Sequence, residues 1–275
     1  MGTSTSTRVG QQDGDVVGSD NTAIQTAIDS WAVQGGTVEI GPGTFEMGDS
    51  LHLRSGVTVR GAGAETVLRK APMIESALSA DLGYGHFDVS LAEAEKFDVG
   101  MGIHIADDRS GGFYNTCATL TWRDGDRFGV SRMLNHDYNR ARNAIVRTVF
   151  PVISGYDLAD ATVENLTVDG NRSENGYLDG CRGGGVFLSQ ASNVTFKNVT
   201  VRDYNGDGIS FQQTTDVLIE DCVCHDNKGH GPHPGSGSVR PIMRRVKCVN
   251  NEVDGIYYCL RVSFSLTEDC TLEGN

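Results

Sequence analysis

The sequence predicts an all-β fold in which short strands stack in parallel as the coils of a solenoid. Three observations support this prediction: a repeat of about 23 residues in the second half, apolar alternation inside each repeat, and an unusual composition. The 275 residues include 35 glycines against 6 prolines, and only 7% are aromatic, which suits a chain that turns often around a narrow core. Self-similarity at such a period is the signature of a solenoid.

The repeat aligns four segments with a glycine in register, at Gly185, Gly208, Gly231 and Gly255. Inside each unit, apolar residues alternate with polar ones, which predicts strands with one buried face. The residues expected to face inward are Val194, Phe196, Val199 and Val201, then Val217, Ile219, Cys222 and Cys224, then Met243, Val246 and Cys248, and last Cys270 and Leu272. The cysteines among them are predicted to be small buried residues rather than metal ligands or disulfide partners.

Polar turn residues recur in the same register, as Tyr204, Asn227, Asn251 and Asn275. Asparagine tolerates the left-handed backbone of tight turns, and its amide can stack on the amide of the next coil. We therefore expect an asparagine ladder along one corner of the solenoid.

The first half of the sequence predicts the N-terminal end of the same solenoid. Asp20 or Asn21 can cap a short amphipathic helix that Gly35 and Gly36 end, and the strands TVEI, GTFEM, SLHL and GVTVRG follow. Laid over the open end of the coils, this helix would block pairing between the exposed strand edges of two molecules. Residues 72–155 are weakly periodic and are expected to leave the coil as long loops.

The run DNTAIQTAIDSWAVQGGTVEIGPGTFEM, followed by LHLRSGVTVRGAGAETVLRK, resembles the opening segment of the pectate-lyase-like superfamily. The resemblance implies a right-handed parallel β-helix with a short N-terminal capping α-helix. We interpret 1–275 as a single β-helix domain, with the cap and first coils at 16–70, irregular loops and coils at 72–155, and regular coils at 161–275. Because Asn275 completes a turn and no cap follows it, we expect the natural protein to be longer at the C-terminus.

The superfamily includes polysaccharide lyases, glycoside hydrolases, uronate epimerases and non-catalytic surface or phage proteins, and it implies a sugar chain on the outer face of the first strands. Side chains alternate across a strand, so residues at one position of successive coils should form an outward column. That column consists of Phe187, Ser210, His233 and Tyr257, and Asp207, His230 and Asp254 stand directly before the reference glycines.

This grouping predicts a catalytic site, because a histidine beside carboxylates can divide acid and base roles with a tyrosine. We expect His233 or His230 to be the base and Tyr257 the acid. A uronate substrate also needs a cation facing its carboxyl group, for which Arg240 and Arg261 are the candidates. The catalytic candidates are His233, His230, Asp207, Tyr257 and Asp254, and the substrate-binding candidates are Arg240, Arg261, Gln212, Ser210 and Phe187.

A second motif, NKGHGPHPGSGS, is similar to the Gly-His-Gly followed by Gly-Ser of polygalacturonase-type glycoside hydrolases. On that match Asp207 and His230 take the places of a family Asp and His. Gly206 stands where the family has the first Asp of a pair, the family's Asn-Thr-Asp has no counterpart near residues 183–185, and Leu260-Arg261-Val262 stands for Arg-Ile-Lys. An inverting hydrolase needs two carboxyl groups, so hydrolysis is the alternative and not the leading hypothesis.

The leading hypothesis is therefore a β-helix protein that cleaves or epimerises a uronate-containing polysaccharide. The alternatives are the hydrolase and a non-catalytic glycan-binding or tail-spike module. The net charge of -13 disfavours nucleic-acid binding, and no apolar run is long enough for a membrane span.

Cofactors and location are less defined by the sequence. The many aspartates are compatible with Ca²⁺, but no ligand set with recognisable spacing appears, so no metal or other cofactor is assigned. Residues 1–15 lack the features of a signal peptide, and an extracellular location is expected only for a full-length protein. The sequence does not define the oligomeric state.

Overall fold

The computed structural model describes residues 5–275, and parallel pairing between successive coils organises them outside residues 71–152. One sheet of 14 strands and one of five strands are built from these pairings. In both, a residue at one position of a coil lies opposite the residue at the same position of the next coil. The repeat in the sequence is therefore one coil of the solenoid.

The first coils contain one helix and seven strands. In chain order they are β1 (Ser6–Gly10), β2 (Val16–Val17), α1 (Asn21–Ser30), β3 (Gly36–Ile40), β4 (Gly43–Met47), β5 (Leu51–His52), β6 (Val57–Gly61) and β7 (Thr66–Lys70). Asp20 is the N-cap of α1, because its side chain accepts hydrogen bonds from the backbone N–H groups of Thr22 and Ala23. The helix ends at Ser30, so Gly35 and Gly36 introduce β3 rather than stop the helix.

Residues 71–152, which follow β7, form a sheet of their own. Its strands are β8 (Glu75–Ala77), β9 (Asp88–Ser90), β10 (Gly102–Ala106), β11 (Thr116–Asp124), β12 (Arg127–Val130) and β13 (Ile145–Arg147), with 3-10 helices at Ala94–Lys96 and Arg140–Arg142. The six strands pair antiparallel around a separate apolar core that includes Leu120, Phe128 and Val146. The chain leaves the coil over this segment as expected, but as paired strands with a core of their own and not as irregular loops. Short antiparallel strands joined by long loops have no coil period, so a search for repeats passes over them.

The regular coils follow from residue 153 onward. Their strands are β14 (Ile153–Tyr156), β15 (Ala159–Asp169), β16 (Val186–Ser189), β17 (Ser192–Arg202), β18 (Ile209–Gln212), β19 (Thr215–Glu220), β20 (Val223–His225), β21 (Pro232–Pro234), β22 (Ile242–Arg244), β23 (Lys247–Val249), β24 (Leu266–Glu268) and β25 (Thr271–Glu273), and a 3-10 helix spans Arg172–Glu174. The five-stranded sheet takes one strand from each coil, in the order β21-β18-β16-β14-β5.

The interior is packed as the alternation predicts. All eleven inward candidates of the first three units are at most 1% exposed, and Cys222, Cys224 and Cys248 stack among them as free thiols. In the last unit Cys270 is only partly buried and Leu272 is 53% exposed. Among residues 5–275, no helix is both long and apolar enough to cross a membrane.

The asparagine ladder is present at the expected corner. The Asn227 side-chain amide donates to Asn251 Oδ1 at 3.0 Å, and that of Asn251 donates to Asn275 Oδ1 at 2.8 Å. Asn227 Oδ1 also accepts the backbone N–H of Tyr204 at 3.1 Å. The ladder satisfies backbone and side-chain polar groups that the turns would otherwise leave buried without partners.

Two long segments leave the coil at one common corner, directly before a strand of the five-stranded sheet. Segment 71–152 leads from β7 into β14, and segment 170–185 leads from β15 into β16. Both segments therefore return to the coil next to the outer face of the five-stranded sheet. We name segment 71–152 the insertion and segment 170–185 the cover loop. Cys117 of the insertion donates through Sγ to the carbonyl oxygen of Arg182 in the cover loop.

The ladder makes a testable contribution to stability. Asn227→Ala removes three side-chain hydrogen bonds at a fully buried position and leaves the Tyr204 N–H without its acceptor. We expect the free energy of unfolding to fall by about 1–3 kcal/mol, measured by chemical denaturation. Lys247→Ala, at an exposed side chain of β23, is the control and should change it by less than about 0.5 kcal/mol. Equal effects of the two substitutions would contradict the role of the ladder.

Candidate active site

A single column of side chains runs across the outer face of the five-stranded sheet. The strand register pairs His52 with Ser154, Ser154 with Phe187, Phe187 with Ser210, and Ser210 with His233. In the last coil, the Tyr257 ring lies 5.0 Å from the His233 ring. The order Phe187, Ser210, His233 and Tyr257 agrees with the alignment of the repeat, and His52 and Ser154 extend the column by two coils.

The middle of this column is covered and not open to a sugar chain. Phe187, Ser210 and Gln212 are at most 2% exposed. Ser210 Oγ donates to the carbonyl oxygen of Gly180 at 2.5 Å, and the Gln212 amide approaches the same oxygen at 3.5 Å. The expectation that these three residues bind substrate on an open face is therefore wrong, because Ser210 and Gln212 contact the cover loop and Phe187 is buried beside the Tyr156 ring.

Asp207 holds both histidines of the site through its two carboxylate oxygens. Its Oδ2 accepts a hydrogen bond from His233 Nδ1 at 2.6 Å, and its Oδ1 accepts the backbone N–H of His230 at 2.9 Å. The pair is sealed by Gly180, where an added Cβ would lie 1.8 Å from Asp207 Oδ2. Burial disfavours the imidazolium form of His233, but the hydrogen bond and negative charge of Asp207 outweigh burial and raise the pKa of His233 above its ordinary value.

The surroundings of His230 shift its pKa in the opposite direction from that of His233. Its ring stacks on Tyr257 at 4.4 Å and meets the His233 ring edge-on at 5.4 Å. Nδ1 lies 3.0 Å from Asp254 Oδ2, but the two groups are not aligned for a hydrogen bond. Burial and the neighbouring His233 lower the pKa of His230 below its ordinary value, despite the charges of Asp207 and Asp254. His230 therefore favours the neutral form, in which it can accept a proton.

Cys259 belongs to this cluster, although the sequence did not indicate it. Its thiol lies 3.2 Å from Ser236 Oγ and also interacts with the His233 ring. Burial alone would raise the pKa of the thiol, but the contacts with Ser236 and His233 prevail and lower it. Cys259 follows Tyr257 at a position that is not inward-facing, so the repeat gave no signal for it.

The same cluster contains donor atoms with the spacing of a metal site. One donor atom each from Asp207, His230 and His233 lie within 4.8 Å of one another. His230 Nδ1 and His233 Nε2 are buried and have no aligned hydrogen-bond partner. Imidazole nitrogens with one carboxylate suit Zn²⁺ or another transition metal better than Ca²⁺, which prefers oxygen ligands. No metal site was predicted here from the sequence, because the three residues come from two different coils and do not form a ligand motif with a recognisable spacing along the chain.

The structure does not bring the expected arginines to the cluster. Arg240 forms a two-pronged ion pair with Asp216, with both distances 2.6 Å, and Arg261 is exposed and has no contact with the cluster within residues 5–275. Both residues adopt left-handed backbone at turns. The expectation for Arg240 is therefore wrong, because the turn geometry and a carboxylate one coil earlier set its direction, whereas substrate binding by Arg261 stays a prediction.

Two other arginines, Arg132 and Arg182, lie beside the other end of the column. They line a cavity of about 340 Å³ together with residues that include Asn115, Asn135 and Tyr156. The Arg132 guanidinium lies 3.3 Å from the centroid of the Tyr156 ring, and Arg182 donates to the Phe113 carbonyl oxygen. Neither has an ion-pair partner within residues 5–275. Arg132 lies in the insertion and Arg182 in the cover loop. Neither segment contains the repeat, so the alignment of the repeat could not predict their positions.

The fold and the column together define a class of protein. Residues 136–275 match the family described as a right handed beta helix region, so the chain belongs to the right-handed β-helix family. The fold is similar to that of the A-module of the mannuronan C-5 epimerase AlgE4 of Azotobacter vinelandii, with 20% identity and a TM-score of 0.55. That similarity covers 94% of this chain and 59% of the epimerase module.

Two further solved structures are more distantly similar. The AlgE6 A-module of the same organism shares 18% identity with a TM-score of 0.48, covering 86% of this chain and 54% of that module. The pectin methylesterase PemA of Erwinia chrysanthemi shares 11% identity with a TM-score of 0.43, covering 90% of this chain and 66% of the esterase. This chain thus spans little more than half the length of the two epimerase modules. No curated protein matches the sequence significantly.

The Asp207–His233 pair is testable by titration. Asp207→Asn removes the negative charge that offsets burial, so the pKa of His233 should fall below its value in the wild-type protein. NMR titration of the histidine rings measures this change. Asp226→Asn, beside the partly exposed His225 at 2.5 Å, is the matched control and should leave the His233 titration unchanged. A His233 pKa that is the same in all three proteins would contradict the proposed pairing.

Proposed function

We propose that this protein modifies an acidic polysaccharide by acid–base chemistry at the face formed by His230, Asp254 and Tyr257. The observation that carries the proposal is the arrangement of two histidines at one buried carboxylate. Asp207 lies 2.6 Å from His233 Nδ1 and raises the pKa of His233, whereas burial lowers the pKa of His230, whose ring stacks on Tyr257 at 4.4 Å. Neighbouring groups whose surroundings push their pKa values apart are typical of an acid and base pair. The reaction assigned is removal of the proton on the carbon next to the sugar carboxyl group.

Exposure and charge favour His230 as the base. Its side chain is 16% exposed against 5% for His233, and its lowered pKa keeps it neutral near neutral pH. His233 remains cationic over a wider range, so it supplies positive charge beside the base. Tyr257, 39% exposed and stacked on His230, is the candidate acid that faces the substrate.

The acidic character of the glycan is supported by Arg132 and Arg182. Their guanidinium groups line one cavity together, and guanidinium groups suit recognition of carboxylates through paired hydrogen bonds. Successive coils lie about 4.8 Å apart, so a glycan that passes over the outside of the cover loop, parallel to the column, can reach both the arginine cavity and His230. The similar epimerase module carries mannuronan in its name, which agrees with a uronate-containing substrate for this chain.

Removal of that proton leads to either of two outcomes. If the neighbouring glycosidic oxygen leaves with a proton from Tyr257, the chain is cleaved and an unsaturated sugar forms. If a proton returns from the opposite face, the sugar is epimerised and the chain stays intact. Lyase and epimerase activity therefore share the same base and differ in the second proton transfer. Hydrolysis is less well supported, since Gly206 stands where a second carboxylate would be needed.

The base assignment predicts a large loss of activity in His230→Gln. We expect the rate to fall by about 10²–10⁴-fold, as for loss of a general base. His225→Gln, a partly exposed histidine on the opposite side of the coil, is the control and should keep full activity. Activity of the wild-type protein should also persist below the ordinary histidine pKa of 6.5, because His230 accepts a proton only at lower pH.

The assay uses a panel of polyuronates and neutral glycans. Ultraviolet absorbance follows unsaturated ends, deuterium uptake from D₂O follows epimerisation, and reducing ends follow hydrolysis. Each reaction is repeated with EDTA and with added Zn²⁺ or Ca²⁺, since Asp207, His230 and His233 can hold a metal. No product from any glycan, combined with binding to one of them, would replace the enzyme proposal by the glycan-binding module.

We also propose that α1 acts as the N-terminal cap of the solenoid. Its face of Ala23, Ile24, Ala27 and Ile28 is buried in the main core and packs near β1 to β5. Ile24→Asp should loosen this face and cause concentration-dependent association through exposed strand edges, measured by size-exclusion chromatography with light scattering. Thr26→Asp on the exposed face should stay as dispersed as the wild-type protein. Unchanged behaviour of a folded Ile24→Asp protein would contradict the capping role.

A further inference from the structure

We propose a second catalytic site at the other end of the column, in which Ser154 is the nucleophile of an esterase. Ser154 Oγ lies 3.0 Å from His52 Nδ1, and His52 Nε2 lies 3.1 Å from Asp49 Oδ2. A serine, a histidine and a carboxylate in this order form the relay of acyl-transferring hydrolases, whatever the fold that carries them. The two ring nitrogens of His52 face opposite partners, as the relay requires.

The surrounding hydrogen bonds permit one direction of proton transfer. The Ser50 hydroxyl donates to Ser154 Oγ at 2.7 Å, so the Ser154 hydroxyl is directed toward His52 Nδ1. His52 must then carry its proton on Nε2 and donate it to Asp49. Asp49 is kept in place by the backbone N–H of Ser50 at 2.7 Å and by the Thr119 hydroxyl at 2.7 Å. Asp49 thus orients His52 from behind, and His52 accepts the serine proton in front.

The relay lies beside the arginine cavity, with Ser154 2% exposed, Asp49 6% exposed and the His52 side chain 32% exposed. Ser154, His52 and Asp49 line a cleft whose walls include Cys117, Arg132 and Tyr156. The same three wall residues also line the cavity of about 340 Å³ that contains Arg182. Within that shared space, Arg132 is the cation that lines the cleft with Ser154 and can stabilise negative charge that develops on a carbonyl oxygen.

The chemistry balances as a two-step hydrolysis. Ser154 Oγ attacks the ester carbonyl carbon while its proton passes to His52 Nδ1. The tetrahedral intermediate collapses, the C–O bond to the sugar breaks, and His52 returns the proton to the departing sugar hydroxyl. Water, deprotonated by His52, then attacks the acyl-serine and releases the carboxylic acid, and Ser154 recovers its proton. No oxidant, metal or further reactant is needed.

The ligand class follows from the lining of the cavity. Arg132 and Arg182 provide cationic donors without carboxylate partners, and the Asn115 and Asn135 side chains lie beside them. The substrate assigned is a short acyl ester on a sugar that carries a negative charge, with Arg182 on the anion and Arg132 beside the acyl carbonyl at Ser154. This inference rests on the proposed function only for the acidic glycan, and the relay itself is independent of it.

Covalent labelling tests the nucleophile directly. A fluorophosphonate probe should label the wild-type protein at one position, and peptide mass spectrometry should locate the label at Ser154. Ser154→Ala should abolish labelling, and His52→Gln should slow it by about a hundredfold or more. Ser189→Ala, a serine of the neighbouring strand β16 outside the relay, is the matched control and should label at the wild-type rate. Circular dichroism and thermal unfolding confirm that each variant is folded.

Turnover separates the two sites. Acetate release from an O-acetylated polyuronate should require Ser154 and His52 and be unaffected by His230→Gln, whereas elimination or epimerisation should show the reverse dependence. Arg182→Gln should raise KM for the acetylated polyuronate more than it lowers kcat. Absence of labelling in folded wild-type protein, or labelling that survives in Ser154→Ala, would overturn the esterase site and leave the relay as a buried hydrogen-bond network. Neither result would bear on His230.

Discussion

The parallel register between coils is the constraint on which the rest of this structure depends. Backbone pairing repeats every side-chain position at intervals of about 4.8 Å along the solenoid, and a slip of one residue would turn the buried face outward. The stacked interior of Val194, Val217 and their counterparts forbids such a slip. The apolar core thus sets the distances on the opposite side of the sheet, and His233 lies beside Tyr257 for the same reason that Ile219 lies beside Met243.

How much the sequence could predict follows from where each residue lies relative to that register. Asp207 and His230 occupy one position of successive coils, and His233 and Tyr257 occupy another position three residues further on, so an alignment of the repeat was enough to group them. His52 and Ser154 are also adjacent in the register, but 102 residues separate them along the chain. The intervening insertion hides their relation from any search for a period. The positions of Arg132 and Arg182 could not be predicted for the same reason, since both residues lie in segments without a repeat.

Other errors came from assuming that position along the coil decides direction. Arg240 stands at a plausible position, yet its left-handed backbone and Asp216 turn it away from the cluster. Ser210 and Gln212 do point outward, but the cover loop lies on them. Alternation gives the face of a sheet on which a side chain lies, and it contains no information on what packs over that face. The local partners of a side chain have to be known before its role can be stated.

The common corner at which the insertion and the cover loop depart has a consequence for how such proteins diversify. The ends of each excursion are held by neighbouring strands of the ladder, so its closure cost rises only with the logarithm of its length. Long and short excursions are therefore tolerated on an unchanged spine, much as differing loops are tolerated on other rigid scaffolds. Specificity can then be transplanted between relatives by exchanging whole excursions at this corner, while the spine preserves the spacing of the chemistry beneath them.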